Sequence, residues 1–219
     1  MKNSKVNSAF KFLTLILLIF SFLMVSGFNS FAEEKHHPIN KYTVEYNAKG
    51  FYTGTKKFCS RNWGNEVVEF KLGKITTPDG KVIIENKKVI TKIEGDSQWI
   101  ISINLDTNTG KKLKNPMYAQ ISKLMEGKSP GEKKKFMLQS MGGKITGKKT
   151  ILGLECNIWK LDVINTCITD DSLNLENSSP TNDIYEVAVK VDKNKTCTDE
   201  EFGVGDAVIE EIEAAMPKK

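Results

Sequence analysis

From about residue 40 onward, apolar and polar residues alternate with period two, the spacing that predicts half-buried strands. Tyr42, Val44 and Tyr46 alternate with Thr43, Glu45 and Asn47. A break at Gly50 to Gly54 follows. Thr55 to Ser60 and Glu66 to Leu72 then flank a turn over Arg61 to Asn65, with Val68, Phe70 and Leu72 on one face. Pro78-Asp79-Gly80 is a strong turn signal, with strands predicted beyond it over Lys81 to Glu85 and Lys88 to Glu94. The clearest alternation sets Trp99, Ile101, Ile103 and Leu105 against Ile100, Ser102 and Asn104, and Asp106 to Gly110 closes it.

The period then changes. Asn115 caps a predicted helix with Pro116 at its first position. Met117, Ile121, Leu124 and Met125 recur at helical spacing, and Gly127 ends it. Ser129 with Glu132 three residues on has the spacing of a capping box. Phe136, Met137 and Met141 follow, and Gly142-Gly143 stops that helix. Strands resume over Lys144 to Thr150 and over Leu154 to Val163, where Trp159, Leu161 and Val163 share a side. Cys167 to Leu175 is predicted as a partner strand and Ser178 to Asn182 as a loop. Ile184 to Val191 alternates again, with Tyr185, Val187, Val189 and Val191 together. The tail, Asp206 to Met216, reads as an amphipathic helix. Strands, a helical pair and more strands predict an α+β domain: one curved antiparallel sheet with helices covering one face.

The N-terminus differs in kind. Lys2, Lys5 and Lys11 precede an apolar run from Phe12 to Val25, and Ser30-Phe31-Ala32 supplies a small-x-small end. These are the three parts of a secretory signal peptide, with cleavage expected after Ala32. The run is short of the about 20 apolar residues that cross a ~30 Å hydrocarbon core. No Cys lies near Ala32, so a lipoprotein signal is not expected. The organisation expected is 1–32 signal peptide and 33–219 a single domain, periplasmic or secreted, with no transmembrane segment after cleavage.

Charge and cysteines follow from that division. The whole chain carries +5, but the signal holds three lysines and no acid, which leaves +2 on the mature part. A balance that weak gives no reason to expect nucleic acid. All four cysteines, Cys59, Cys156, Cys167 and Cys197, lie in the mature part, where an exported chain forms disulfides. Three pairings are open. Cys156 and Cys167 flank a predicted hairpin, which favours joining them and leaves Cys59 with Cys197.

Catalysis finds little support. His36 and His37 are neighbours in the polar lead after the cleavage site, and adjacent residues in a loose lead seldom converge on one ion, so no metal is expected. A Ser-His-acid triad would need one of the same two histidines. Asp170-Asp171 and Asp199-Glu200-Glu201 are sequence neighbours in turns, whereas a glycosidase needs carboxylates facing each other across a cleft. No phosphate loop or cofactor motif is present, and no cofactor is expected.

Three segments, taken in order, carry a resemblance. They are Tyr42 to Tyr46 leading to Gly54 to Phe58 and Trp63 to Glu66; Gly147 to Cys156, a G-x-x-x-(I/V)-x-G-x-x-C hairpin; and Ala188 to Asp192 followed by Glu201 to Val204. This set resembles uncharacterised exported bacterial proteins of the LolA/LolB-like lipoprotein-carrier superfamily. The resemblance implies an incomplete β-barrel whose concave face holds helices and an apolar cavity. It implies a non-enzymatic protein that binds an apolar or lipid-like ligand. Phe70, Trp99, Ile101, Ile103, Phe136, Met137 and Trp159 are the expected cavity residues, since aromatic and flexible Met side chains suit shape-tolerant apolar binding. An envelope protein partner for a self-filled core is the alternative, and a hydrolase a more distant one. Four cysteines and a Lys-rich helical segment depart from the carriers.

Overall fold

The alternating segments become strands in a computed structural model that describes residues 34–77, 79–179, 181 and 183–212. Residues 1–32, expected to be a signal peptide, and the expected cleavage site after Ala32 lie outside the described residues. In chain order the elements are β1 (Tyr42–Gly50), β2 (Tyr52–Arg61), β3 (Glu66–Thr76), β4 (Val82–Glu94), β5 (Ser97–Asn104) and β6 (Thr109–Lys114). Two helices follow, α1 (Tyr118–Leu124) and α2 (Pro130–Ser140). Then come β7 (Lys144–Ile151), β8 (Leu154–Lys160), β9 (Asn165–Ile168), β10 (Asn174–Ser179) and β11 (Ile184–Asp192). A short α3 (Asp199–Phe202) and β12 (Val208–Ile212) complete the set.

All twelve strands join one curved, unclosed sheet in the order β12-β6-β5-β4-β3-β2-β1-β11-β10-β9-β8-β7. β1 is central, with one meander running outward from it on each side. Neighbours are antiparallel except β12, which lies parallel to β6. No described helix is long and apolar enough to cross a membrane.

Cross-strand partners share a face, so register separates two layers. On one face Val44 lies opposite Phe58, and Tyr46 opposite Lys56 and Ala188. On the other, Cys59 lies opposite Val68, Val68 opposite Ile90, and Ile90 opposite Ile101. That second face is covered by α3, whose Phe202 is buried among Val68, Ile90 and Ile103. A capping box of Thr198 and Glu201 starts α3, and Arg61 lies over the Phe202 ring at 4.1 Å. The acids Asp199 to Glu201 thus form the first turn of a helix, where negative charge is favoured. Disulfides join Cys59 to Cys197 and Cys156 to Cys167.

α2 begins at the capping box of Ser129 and Glu132, with Pro130 in its first turn. It ends where Gly142 takes φ 77° and the Gly143 N–H donates to the Leu138 carbonyl at 2.8 Å. Leu138 packs on Trp159 and Ile168. In α1, Tyr118 is buried, as is Met125 just beyond it, while Met117 and Leu124 are exposed. Asn115 accepts from the Met117 N–H at 3.1 Å, ahead of the first helical residue.

Several local expectations are corrected. β4 is one strand through Asn86 and Lys87, because these pair residue for residue with Leu72 and Lys71 of β3. Leu72 itself is exposed. Cys167 to Leu175 is two strands: Thr169 exchanges hydrogen bonds with Leu173 and folds the chain back between β9 and β10. Ser178 and Ser179, expected in a loop, end β10. On β11 the buried residues are Glu186 and Ala188, and Tyr185 and Val189 face outward. Glu186 tolerates burial because it pairs with Lys56 and accepts from Asn177. The tail is not helical through Ile212: Val208–Ile212 adds to the β6 edge, with Ile209 opposite Gly110. The expected helix beyond Ile212 lies outside the described residues.

Candidate ligand site

The lead ahead of β1 is docked. The His36 and His37 N–H groups both donate to the Trp63 carbonyl, at 2.9 and 2.7 Å, and Trp63 N–H donates to the Asn40 carbonyl. The Lys35 ammonium sits 3.8 Å from the Trp63 ring centroid. The His37 ring lies 4.5 Å from Tyr42, with Nδ1 accepting from the Ile39 N–H. His36 approaches the Tyr118 hydroxyl at 3.4 Å. A lead expected to be loose is therefore held against the turn after β2 and against α1.

Between this lead, helices α1 and α2, and the Tyr42/Tyr46 face of the sheet lies a cavity of about 590 Å³. Its apolar wall includes Phe58, Val67, Ile93, Met125 and Met137, and its polar wall His37, Lys56, Lys134, Asn177 and Glu186. Burial pushes the pKa of His36 and His37 down, against the opposing pull of Glu34 on His36 and of the Ser172 backbone on His37. Burial likewise pushes the Tyr42 and Tyr46 hydroxyls well above their usual range, and Tyr46 donates to the Asn174 carbonyl at 2.7 Å. The cavity thus offers neutral imidazoles, phenols and amides beside a set of ammonium–carboxylate pairs.

A second, more apolar groove of about 390 Å³ adjoins it. α2 and its end contribute Met137, Leu138 and Met141 to one wall, and the β8–β9 turn contributes Leu161, Val163 and Ile164.

The expected cavity residues divide between the two faces. Met137 lines both the cavity and the groove, and Trp159 is buried under Leu138 beside them. Phe136 is exposed on α2, 5.4 Å from the Lys128 ammonium. Phe70, Ile101 and Ile103 belong to the opposite layer, under α3. Trp99 shares that face and lies beneath Lys112 at 4.1 Å. These four do not line the cavity. Alternation marks a strand's apolar side, and here both sides of the sheet are covered. Lys56, Lys134 and Glu186 join the cavity without a signal of their own in the sequence, whereas Tyr42 and Tyr46 are marked only as the apolar side of a strand and His37 only as part of the polar lead. Among the described residues, no group of three or more His, Cys, Asp or Glu is placed to hold a metal ion.

No family model matches the chain, and no curated protein matches it. Among solved structures, it is similar to the crystal structure of an uncharacterized conserved protein from Thermus thermophilus. The identity is 8%, the TM-score 0.48, and the alignment covers 79% of this chain and 91% of that one.

Proposed function

We propose that this is an exported, non-enzymatic protein that holds an apolar or amphiphilic ligand between the concave face of its sheet and helices α1 and α2. On this reading the fold is a LolA/LolB-like half-barrel plugged by its helical pair. The observation that carries the proposal is the cavity of about 590 Å³, walled by flexible Met125 and Met137 on the helical side and by Phe58, Val67 and Ile93 on the sheet. Its volume falls within the ~300–1,000 Å³ typical of small-molecule sites. Two disulfides support an oxidising compartment, the periplasm or the exterior.

Native mass spectrometry of protein extracted gently from its own envelope fraction tests this. The expected result is a bound small-molecule mass, lost in Met137→Asp and retained in Trp99→Glu. A bare protein that also takes up no apolar dye would overturn it. One observation favours a partner protein as a second reading. Val82, Ile83 and Ile84, at the start of β4, are exposed at 57%, 52% and 66%, and such a patch suits a protein contact. A pull-down that loses its partner in Ile84→Asp but not in Met137→Asp would favour that reading.

A further inference from the structure

Among the described residues, the lysines and carboxylates around the cavity pair off with one exception. Lys56 meets Glu186, Lys133 meets Glu34 and Glu69 meets Lys71. Lys134 lines the same cavity, is half-buried, and has no hydrogen bond or ion pair among the described residues. Burial alone pushes its amine pKa down, with no acid raising it. A partly desolvated ammonium without a counter-charge is unfavourable, and folded proteins pair such groups.

Its position adds a direction. Lys134, Met137, Leu138 and Met141 recur at i, i+3, i+4 and i+7, so they form one stripe along α2. Leu138 is buried on Trp159, whereas Met137 and Met141 stay exposed at 42% and 62%, and Val163 across the groove at 47%. Lys134 and Met137 line both the polar cavity and the apolar groove, together with Asn174 and Asn177. The unpaired ammonium therefore stands where polar walls give way to apolar ones. Asp162 is the one acid on the groove wall; it is exposed and makes no ion pair with Lys134.

We propose that the site takes a single-chain amphiphile with a carboxylate headgroup, such as a free fatty acid, its headgroup on Lys134 and its chain in the groove along α2. This rests on the ligand-holding reading above and names the ligand class. A carboxylate supplies the missing counter-charge through a charge-assisted hydrogen bond. The groove's 390 Å³ is near the small end of ligand sites, which suits one chain and not two.

The test is calorimetric titration of delipidated mature protein with laurate, dodecanol and dodecyltrimethylammonium, each below its micelle concentration. Laurate is expected to bind about tenfold or more tighter than dodecanol, and the cation most weakly. Lys134→Met should erase the laurate preference while dodecanol still binds. Lys135→Met, on the exposed neighbour, should keep it. Met141→Asp should weaken laurate and dodecanol alike. Dodecanol binding as tightly as laurate to the wild type overturns the anionic headgroup and leaves the ligand-holding reading standing. So does a Lys134→Met protein that still prefers laurate. If none of the three binds, the ligand-holding reading itself fails.

Discussion

Removing the two disulfides in turn should cost unequal amounts of stability. Cys59 and Cys197 are separated by 138 positions, Cys156 and Cys167 by 11. A cross-link stabilises chiefly by restricting the unfolded chain, with an entropy that grows as the logarithm of the loop it closes. That relation gives about 5 kcal/mol for the long loop and about 3 kcal/mol for the short one at 25 °C. The native contacts add to the same ordering. The long bridge anchors the segment that carries Phe202 over Val68, Ile90 and Ile103. The short one ties β8 to β9, which already pair through Ile158 and Cys167. The assay is urea unfolding of Cys59→Ala/Cys197→Ala and Cys156→Ala/Cys167→Ala double variants, followed by circular dichroism under non-reducing conditions. The first should lose about 2 kcal/mol more than the second. Equal losses, or a larger loss in the second, would refute the ordering and place the effect of the long bridge elsewhere than in chain restriction and α3 docking.

Other consequences can be checked separately. Leu138→Ala should cost about 2–5 kcal/mol and diminish the near-UV dichroism of Trp159, because it opens a void where α2 meets the sheet. Ser129→Ala removes the α2 cap and should lower stability by about 1 kcal/mol in a denaturant titration. His36 and His37 have folded-state pKa values below the ordinary ~6.5, so below that pH the unfolded chain binds more protons than the folded one. Stability should therefore fall as pH drops from about 6.5 toward the folded-state values, and a His36→Asn/His37→Asn variant should show a shallower fall in melting temperature. Lys134→Met should raise the urea midpoint of the ligand-free protein. As pH climbs toward the ordinary lysine pKa of about 10.4, the wild type should gain stability relative to this variant, because the unfolded chain keeps the Lys134 proton that the folded one gives up.

Much of the sheet is legible in the sequence because its strands are specified locally. The alternation at Tyr42 to Tyr46 and at Trp99 to Ile103, and the Ser129/Glu132 cap, depend on neighbours within a few residues. Where tertiary context decides, local pattern misleads. Val208, Ile209 and Ile212 fit a helical stripe as well as a strand, and only the β6 edge, far earlier in the chain, selects the strand. The fold-back after β9 is closed by the Thr169 hydroxyl, which accepts from the Leu173 N–H, a contact that reading Cys167 to Leu175 as one extended strand conceals. The candidate site is less legible still. Lys133-Lys134-Lys135 reads as a solvated run, yet Glu34 is what separates a paired Lys133 from an unpaired Lys134. Glu186 falls on the polar side of the alternation over Ile184 to Val191, and its burial finds a reason only when Lys56 is brought beside it.

The central position of β1 bears on how the chain is made. Val44 pairs with Phe58 on one side and with Val191 on the other. During synthesis from the N-terminus, β1 to β6 can zip into a meander early, while the far edge of β1 waits for β11. Throughout that interval a row of free N–H and C=O groups is presented to any other chain. Such late, long-range pairing is slow, and it leaves intermediates prone to aggregate. Cys59 waits over the same interval, because Cys197 follows β11, and Cys156 and Cys167 emerge before its proper partner does. A chaperone that shields the open edge of β1, and a thiol–disulfide isomerase that corrects early pairing, would act on the same nascent chain for the same topological reason.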